Sequence, residues 1–284
     1  MRLRPFALWF LALGAFLLPA AIQAAGAVKY GDALYEPRLR QPGKDVMWLP
    51  TPDAMVLQML RAAKVTNRDI VYDLGAGDGK IAIAAARHFG ARAVGIEYEP
   101  KMAALAQRNA KRAKVDHKVR IIQGDIFKED FSSATVVTLY LLPDLNHQLR
   151  DTLLAMRPGT RIVSHQWHMG EWEPDQSIRG EESDAFLWIV PAQLDGRWAL
   201  RDAQGLWQAT IEITQRFQRT AGQITIGGVT RPLLGTFVNG PTLGFTFVAP
   251  DGSVQSLRAD TDGKTINGTL RFVDNLTPIS GARL

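Results

Sequence analysis

The sequence predicts an α/β fold: a mostly parallel sheet with helices on both faces, followed by a small C-terminal antiparallel β domain. Three observations carry that expectation. Short apolar runs alternate with segments of helical spacing from Asp53 to Ser164, the order that builds a parallel sheet through helical crossovers. The first apolar run, Val71-Tyr72-Asp73-Leu74, passes directly into a glycine-rich turn. From about Leu194 helical spacing stops, and apolar residues alternate with polar ones at Trp207, Ala209, Ile211 and Ile213 and again at Leu243, Phe245 and Phe247, which is the strand period.

Residues 28–52 are polar and proline-punctuated and read as a lead-in loop ending at Pro50-Thr51-Pro52. Met55, Val56, Met59, Leu60 and Ala63 recur at helical spacing, so Asp53–Lys64 is a helix, with Thr51 or Asp53 suited to cap it. The first strand is Ile70–Leu74. A helix follows from Lys80 to about Phe89 and stops at Gly90, a residue able to adopt the left-handed cap. The second strand, Ala93–Ile96, delivers Glu97. Pro100 suits the first turn of a helix reaching Lys114. The third strand, Val119–Gln123, runs into Gly124-Asp125-Ile126, and the fourth, Thr135–Leu139, into Tyr140-Leu141-Leu142-Pro143. A helix over Asn146–Met156, a turn at Pro158-Gly159 and a fifth strand over Arg161–Ser164 complete the alternation. Glu173–Asp184 is acidic and loop-like, and Ala185–Pro191 is an apolar strand that ends the sheet. Asp251-Gly252 and Asp262-Gly263 are hairpin turns of a sandwich or partial barrel. The expected organisation is 1–27 as a signal peptide or membrane anchor, 28–193 as the α/β domain and 194–284 as the β domain.

The chemistry concentrates in Asp73-Leu74-Gly75-Ala76-Gly77-Asp78-Gly79. Gly75, Gly77 and Gly79 lack Cβ atoms, so a ligand can touch bare backbone, and the next helix offers it unpaired N–H groups. A phosphate-binding loop needs Ser or Thr after its Gly-Lys pair, and Ile81 stands there. A dinucleotide fingerprint needs its third glycine one position later, and Asp73 would repel a pyrophosphate. A cationic ligand fits that carboxylate. Glu97, Asp125 and Tyr140 all follow strand ends, so the element order alone sets them on the same rim as the glycine turn.

The Asp-x-Gly-x-Gly-x-Gly pattern resembles motif I of class I S-adenosylmethionine (SAM) methyltransferases, which have a Rossmann-like sheet. Together with Leu49-Pro50-Thr51-Pro52, Gly95-Ile96-Glu97 and Leu139-Tyr140-Leu141-Leu142-Pro143 it resembles the branch of lysine methyltransferases acting on the ATP synthase c-subunit, with their bacterial relatives. The resemblance covers roughly residues 46–167. It implies that Glu97 accepts hydrogen bonds from the ribose hydroxyls, that Asp125 takes the adenine amino group, and that the Ile126 N–H meets a ring nitrogen. Asp73 then fixes the glycine turn and faces the methionine end, with Thr51 closing over it. Tyr140 is the candidate catalytic residue, orienting the acceptor nitrogen. The implied partner is a protein substrate near a membrane. Two other readings stand beside it: an aminopropyltransferase using decarboxylated SAM, and an exported, non-catalytic scaffold that keeps the fold.

An apolar fraction of 46% with 21% charged residues suits an ordinary globular core. The net charge is +5, but cations are scattered. The densest patch, Arg108, Lys111, Arg112, Lys114, Lys118 and Arg120, reads as a solvated helix face, with a surface for an acidic partner or anionic lipid as the alternative. No aromatics alternate with it, so nucleic acid is not an expected partner. With no cysteine there is no disulfide or thiol chemistry. His165-x-x-His168 lacks an evident third ligand, so no metal site is expected. Arg2 and Arg4 precede an apolar run from Phe6 to about Ala21, followed by small residues at Ala24-Ala25-Gly26-Ala27. That is the layout of a secretory signal or a membrane anchor, and it predicts export. SAM is made in the cytosol, so the export signal and the cofactor point to different compartments.

Overall fold

The computed structural model describes residues 30–284. The expected signal or anchor over 1–27 lies outside the described residues. Five parallel strands form the first sheet: β1 (Ile70–Leu74), β2 (Arg92–Glu97), β3 (Val119–Gln123), β4 (Val136–Leu139) and β5 (Arg161–His165). Two antiparallel strands, β6 (Gln176–Ile178) and β7 (Ala185–Ile189), extend it, in the order β3-β2-β1-β4-β5-β7-β6. The acidic stretch 173–184 is therefore not all loop. It carries the short edge strand β6, whose one buried residue, Ile178, joins the apolar core.

Helices α1 (Asp53–Ala62), α2 (Lys80–Phe89) and α3 (Pro100–Arg112) share one apolar core with the sheet, and α4 (Pro143–Leu154) packs in another. Helix α2 buries Ile81, Ala82, Ala85 and Ala86, whose small side chains let it lie close to the strands, and it ends at Gly90 with φ 71°. Two expectations are corrected. Helix α1 starts behind Pro52 with no side-chain cap, because the Thr51 hydroxyl is bonded to His165 instead. Helix α4 starts at Pro143 rather than Asn146, since proline suits the first turn, where no N–H partner is needed.

The C-terminal strands are β8 (Gly196–Asp202), β9 (Gln208–Arg216), β10 (Arg219–Ile226), β11 (Val229–Pro232), β12 (Leu234–Asn239), β13 (Thr242–Val248), β14 (Val254–Thr261), β15 (Thr265–Phe272) and β16 (Asn275–Arg283). They form one nine-stranded antiparallel sheet in the order β11-β10-β9-β8-β16-β15-β14-β13-β12. The sheet curls until its ends approach: the Leu233 N–H donates to Gly222 O at 2.9 Å and the Thr236 hydroxyl to Thr220 O at 2.5 Å. Of the two forms expected, this is the barrel-like one. Trp198, Ile211, Leu243, Phe247 and Ile266 fill its interior, as the alternation requires.

Candidate functional site

β1 ends at Leu74, and the chain turns through Gly75, Gly77 and Gly79 at φ 81°, 54° and 80°. Gly77 has a second reason to be glycine: a Cβ there would lie 2.7 Å from Trp48 Nε1. The turn floors a cavity of about 130 Å³. Thr51, Asp73, Gly75, Ala76, Gly77, Glu97, Asp125, Ile126 and Tyr140 all line it. Gly79 is not among its lining residues. It is the left-handed N-cap of α2 and packs toward Ala106.

The carboxylates of this rim are unevenly satisfied. Glu97 accepts the Gly77 and Glu99 N–H groups, both at 2.8 Å, yet burial still raises its pKa. Asp78 is raised for the same reason. Asp73, buried near the end of β1, accepts the Thr138 hydroxyl at 2.8 Å and no other donor among the described residues. Burial, with Asp78 and Glu97 nearby, pushes it up to about 7. Three desolvated carboxylates around a glycine turn favour the neutral acid by themselves, and a cation bound among them would restore their ionised form. Asp125 differs. The Phe127 N–H and Lys44, at 3.0 Å, hold it below the usual carboxylate range.

The lead-in segment roofs the cavity. Trp48 lies over Gly77 and meets Tyr30 edge-on at 5.2 Å. Lys44 spans from Asp125 to the Tyr98 ring, 5.0 Å away. Asp32 anchors the segment through Arg108 at 2.6 Å and Arg112 at 2.7 Å, and Arg108 first of all holds it well below the usual range. Two members of the basic patch are thus a clamp and not merely a solvated face. At the other end of the cavity, the Tyr140 ring lies 4.1 Å from that of His165, and burial raises its phenol pKa. His165 is buried between Thr51 Oγ1 at 3.2 Å and Ser183 Oγ at 2.6 Å, and burial drops its pKa to about 4, so it is neutral. His168 stacks on Phe186, so the two histidines serve separate contacts.

Sequence reasoning passed over Lys44, Trp48, Asp78, His165 and Ser183 as site residues. Asp78 stood inside the glycine motif and was the one with a local signal. Lys44 and Trp48 lie in a loop without periodicity, and His165 and Ser183 meet only through the β5–β7 pairing.

A family model described as ANTKMT methyltransferase domain matches residues 73–176. A protein-lysine N-methyltransferase of Saccharolobus islandicus is 41% identical over 151 residues, 51% of this chain and 94% of that protein. The chain belongs to this methyltransferase family. A Xenopus laevis lysine N-methyltransferase of the ATP synthase c-subunit is 35% identical over 45% of this chain and 55% of its own length, so the chain spans only about half of that relative. A solved Salinibacter ruber structure, described as an RNA methyltransferase in complex with S-adenosyl-L-homocysteine, is 48% identical with a TM-score of 0.51, covering 51% of this chain and 96% of that one. The methyltransferase uses SAM. The residues present fit it: bare backbone at Gly75 and Gly77 admits a close approach, and the desolvated carboxylates match a sulfonium and an ammonium.

Proposed function

We propose that this methyltransferase transfers a methyl group to a lysine ε-amine of a membrane-associated protein, and that its N-terminal segment exports or anchors it. In this reading Glu97 takes the ribose hydroxyls, and Asp125 and the Ile126 N–H take the adenine. Asp73 and the Gly75–Gly77 backbone hold the methionine end with Thr51 closing over it, while Tyr140 flanks the acceptor. The observation that carries the reading is the trio Asp73, Asp78 and Glu97 lining one cavity around the glycine turn, carboxylates whose ionised form a bound cation would stabilise.

SAM brings a methyl group already activated by its sulfonium. The protein has to align the acceptor and exclude water, and no strong base is required. The acceptor wall is built for alignment in a dry site. Leu141 and Leu145 line the cavity, Tyr140 is held as phenol and His165 is neutral. A dry, uncharged wall lowers the pKa of a lysine brought against it and frees its lone pair.

Two features support a membrane-associated protein over RNA. Met47, Tyr98, Phe127 and Leu142 are exposed on the segments that border the cavity, the surface an apolar partner covers. The cations that hold the roof are engaged, Lys44 by Asp125 and Arg108 and Arg112 by Asp32, so these three are not free for phosphates.

Incubating the full chain with tritiated SAM and an envelope extract, followed by hydrolysis, should yield methyl-lysine, and Glu97→Ala should abolish it. Label in the RNA fraction instead would replace the acceptor, and absence of SAM binding would remove the reading altogether. A tagged chain should fractionate with the envelope; recovery from the cytosol alone would overturn the localisation.

A further inference from the structure

The β domain contributes nothing to the cofactor cavity, yet it grips the segment behind the acceptor wall. That segment, residues 166–175, joins β5 to β6. At its near end Gln166, at φ 67°, accepts the Tyr140 hydroxyl at 3.0 Å, and the carbonyls of Trp167 and His168 accept the buried Asn146 amide. At its far end Glu171-Trp172-Glu173 meets the turn between β9 and β10. Phe217, at φ 54°, lies nearly parallel to Trp172 with ring centroids 6.3 Å apart, and packs against the same core as α4. Arg150, on α4, sets its guanidinium 5.8 Å from the Phe217 ring and donates to Met169 O at 3.4 Å. Arg216 pairs with Glu171 at 2.6 Å, Arg219 pairs with Glu173, and the Gln218 amide donates to Glu173 O at 2.7 Å.

The exposed ion pairs contribute little, so the ring contact makes the grip. The line from Phe217 to Tyr140 is also where local cost collects. Among the described residues Trp172 Nε1 and Asn146 Oδ1 are buried without a hydrogen-bond partner, and Gln166 sits in the left-handed region, uncommon for such a residue. The φ of Phe217 belongs to its two-residue hairpin turn, as that of Val273 does between β15 and β16. An apolar residue at 172 would avoid one of those costs. Strain and orphaned polar atoms that persist together point to a position held for function.

We propose that Phe217 is a positioning residue for methyl transfer: through Trp172 it fixes the 166–173 segment, and with it Gln166 and the Tyr140 hydroxyl beside the acceptor. The proposal rests on the reading of that wall as the acceptor side. Wild-type labelling of lysine tests that reading, and the ratio of variant to wild type tests this one.

The experiment uses the full chain with tritiated SAM at saturation and envelope extract, alongside calorimetric SAM affinity and NMR of ring-labelled tyrosine, assigned with Tyr140→Phe. Phe217→Ala should leave SAM affinity unchanged, shift the Tyr140 signal and slow lysine labelling about ten- to a hundred-fold, the scale of a small misplacement of reacting groups. Phe217→Trp should restore both. Where Phe217→Ala does not fold, Phe217→Leu is read in the same way. A folded variant with wild-type labelling and an unmoved Tyr140 signal overturns the proposal, as does a loss of SAM affinity equal to the loss of rate.

Discussion

The two sheets of this protein use carboxylates at their strand ends in opposite ways. In the β domain, Asp262 accepts the N–H groups of Lys264 and Thr265, and Asp251 that of Ser253. Bonds to the Thr265 N–H and to Ser253 hold these two below the usual carboxylate range, and each hairpin closes on itself. In the parallel sheet the chain must leave each strand end for a distant helix, so a cleft stays open there. Its carboxylates, Asp73 and Glu97, are desolvated and raised. The same group is thus a turn device where it stays in water and a candidate cation site where it is desolvated, even with two backbone N–H groups on it as at Glu97. Asp125 lies between the two cases, bonded to a local N–H like a turn residue and to Lys44 from the roof.

If the interior of the β domain is separate from the cleft, damage there, away from Phe217, should cost stability and leave SAM binding intact. Trp198, fully buried in the barrel interior and bonded through Nε1 to Leu194 O at 2.8 Å, should cost about 3–5 kcal/mol on replacement by Ala. Denaturant unfolding would measure that loss, while SAM affinity per folded molecule should stay put. A matching fall in affinity would show the two units to be coupled through their cores.

The converse change belongs to the cleft. Gly77→Val forces a side chain into the left-handed region and against Trp48. Strain of about 3 kcal/mol corresponds to a roughly hundred-fold weaker SAM affinity by calorimetry. Wild-type affinity would mean that the turn is a fold device like those of the β domain.

The raised carboxylate gives a pH signature. Asp73 goes from an ordinary value of 3.8 to about 7 in the folded protein, so the folded state holds its proton more tightly. Its contribution to stability is complete below 3.8 and disappears as pH rises through about 7. A bound cation favours the ionised form, so SAM affinity should rise by up to about ten-fold per pH unit below that value and level off above it. Calorimetry in buffers of different protonation enthalpy should detect the released proton, and Asp73→Asn should flatten the slope. Asp262→Asn in the β domain should change neither. The smallest effect expected is at Gly227, at φ 55° with open space around its would-be Cβ. Gly227→Ala should cost only about 1–2 kcal/mol of stability, all of it backbone strain.

Much of the cleft was legible because it is written at strand ends. Glu97, Asp125 and Tyr140 share a rim with the glycine turn once five strands run parallel, and no knowledge of packing is needed to see it. The roof was not legible. Asp32 and Arg108 are 76 residues apart in the chain, and nothing in a proline-punctuated loop says which helix it crosses. Thr51 shows the limit well: beside a helix start its hydroxyl reads as a cap, but a buried imidazole 114 residues away competes for it and wins.

The order of apolar runs, the glycine turn and the acidic strand ends determined the fold class, the rim and the charge of the ligand it takes, because period and chain direction are local properties. Only the tertiary structure decided which carboxylates lose water, which cations are engaged, and that Phe217 reaches Trp172 behind the acceptor wall. Those outcomes depend on distances between segments far apart in the chain, and a sequence carries no distances.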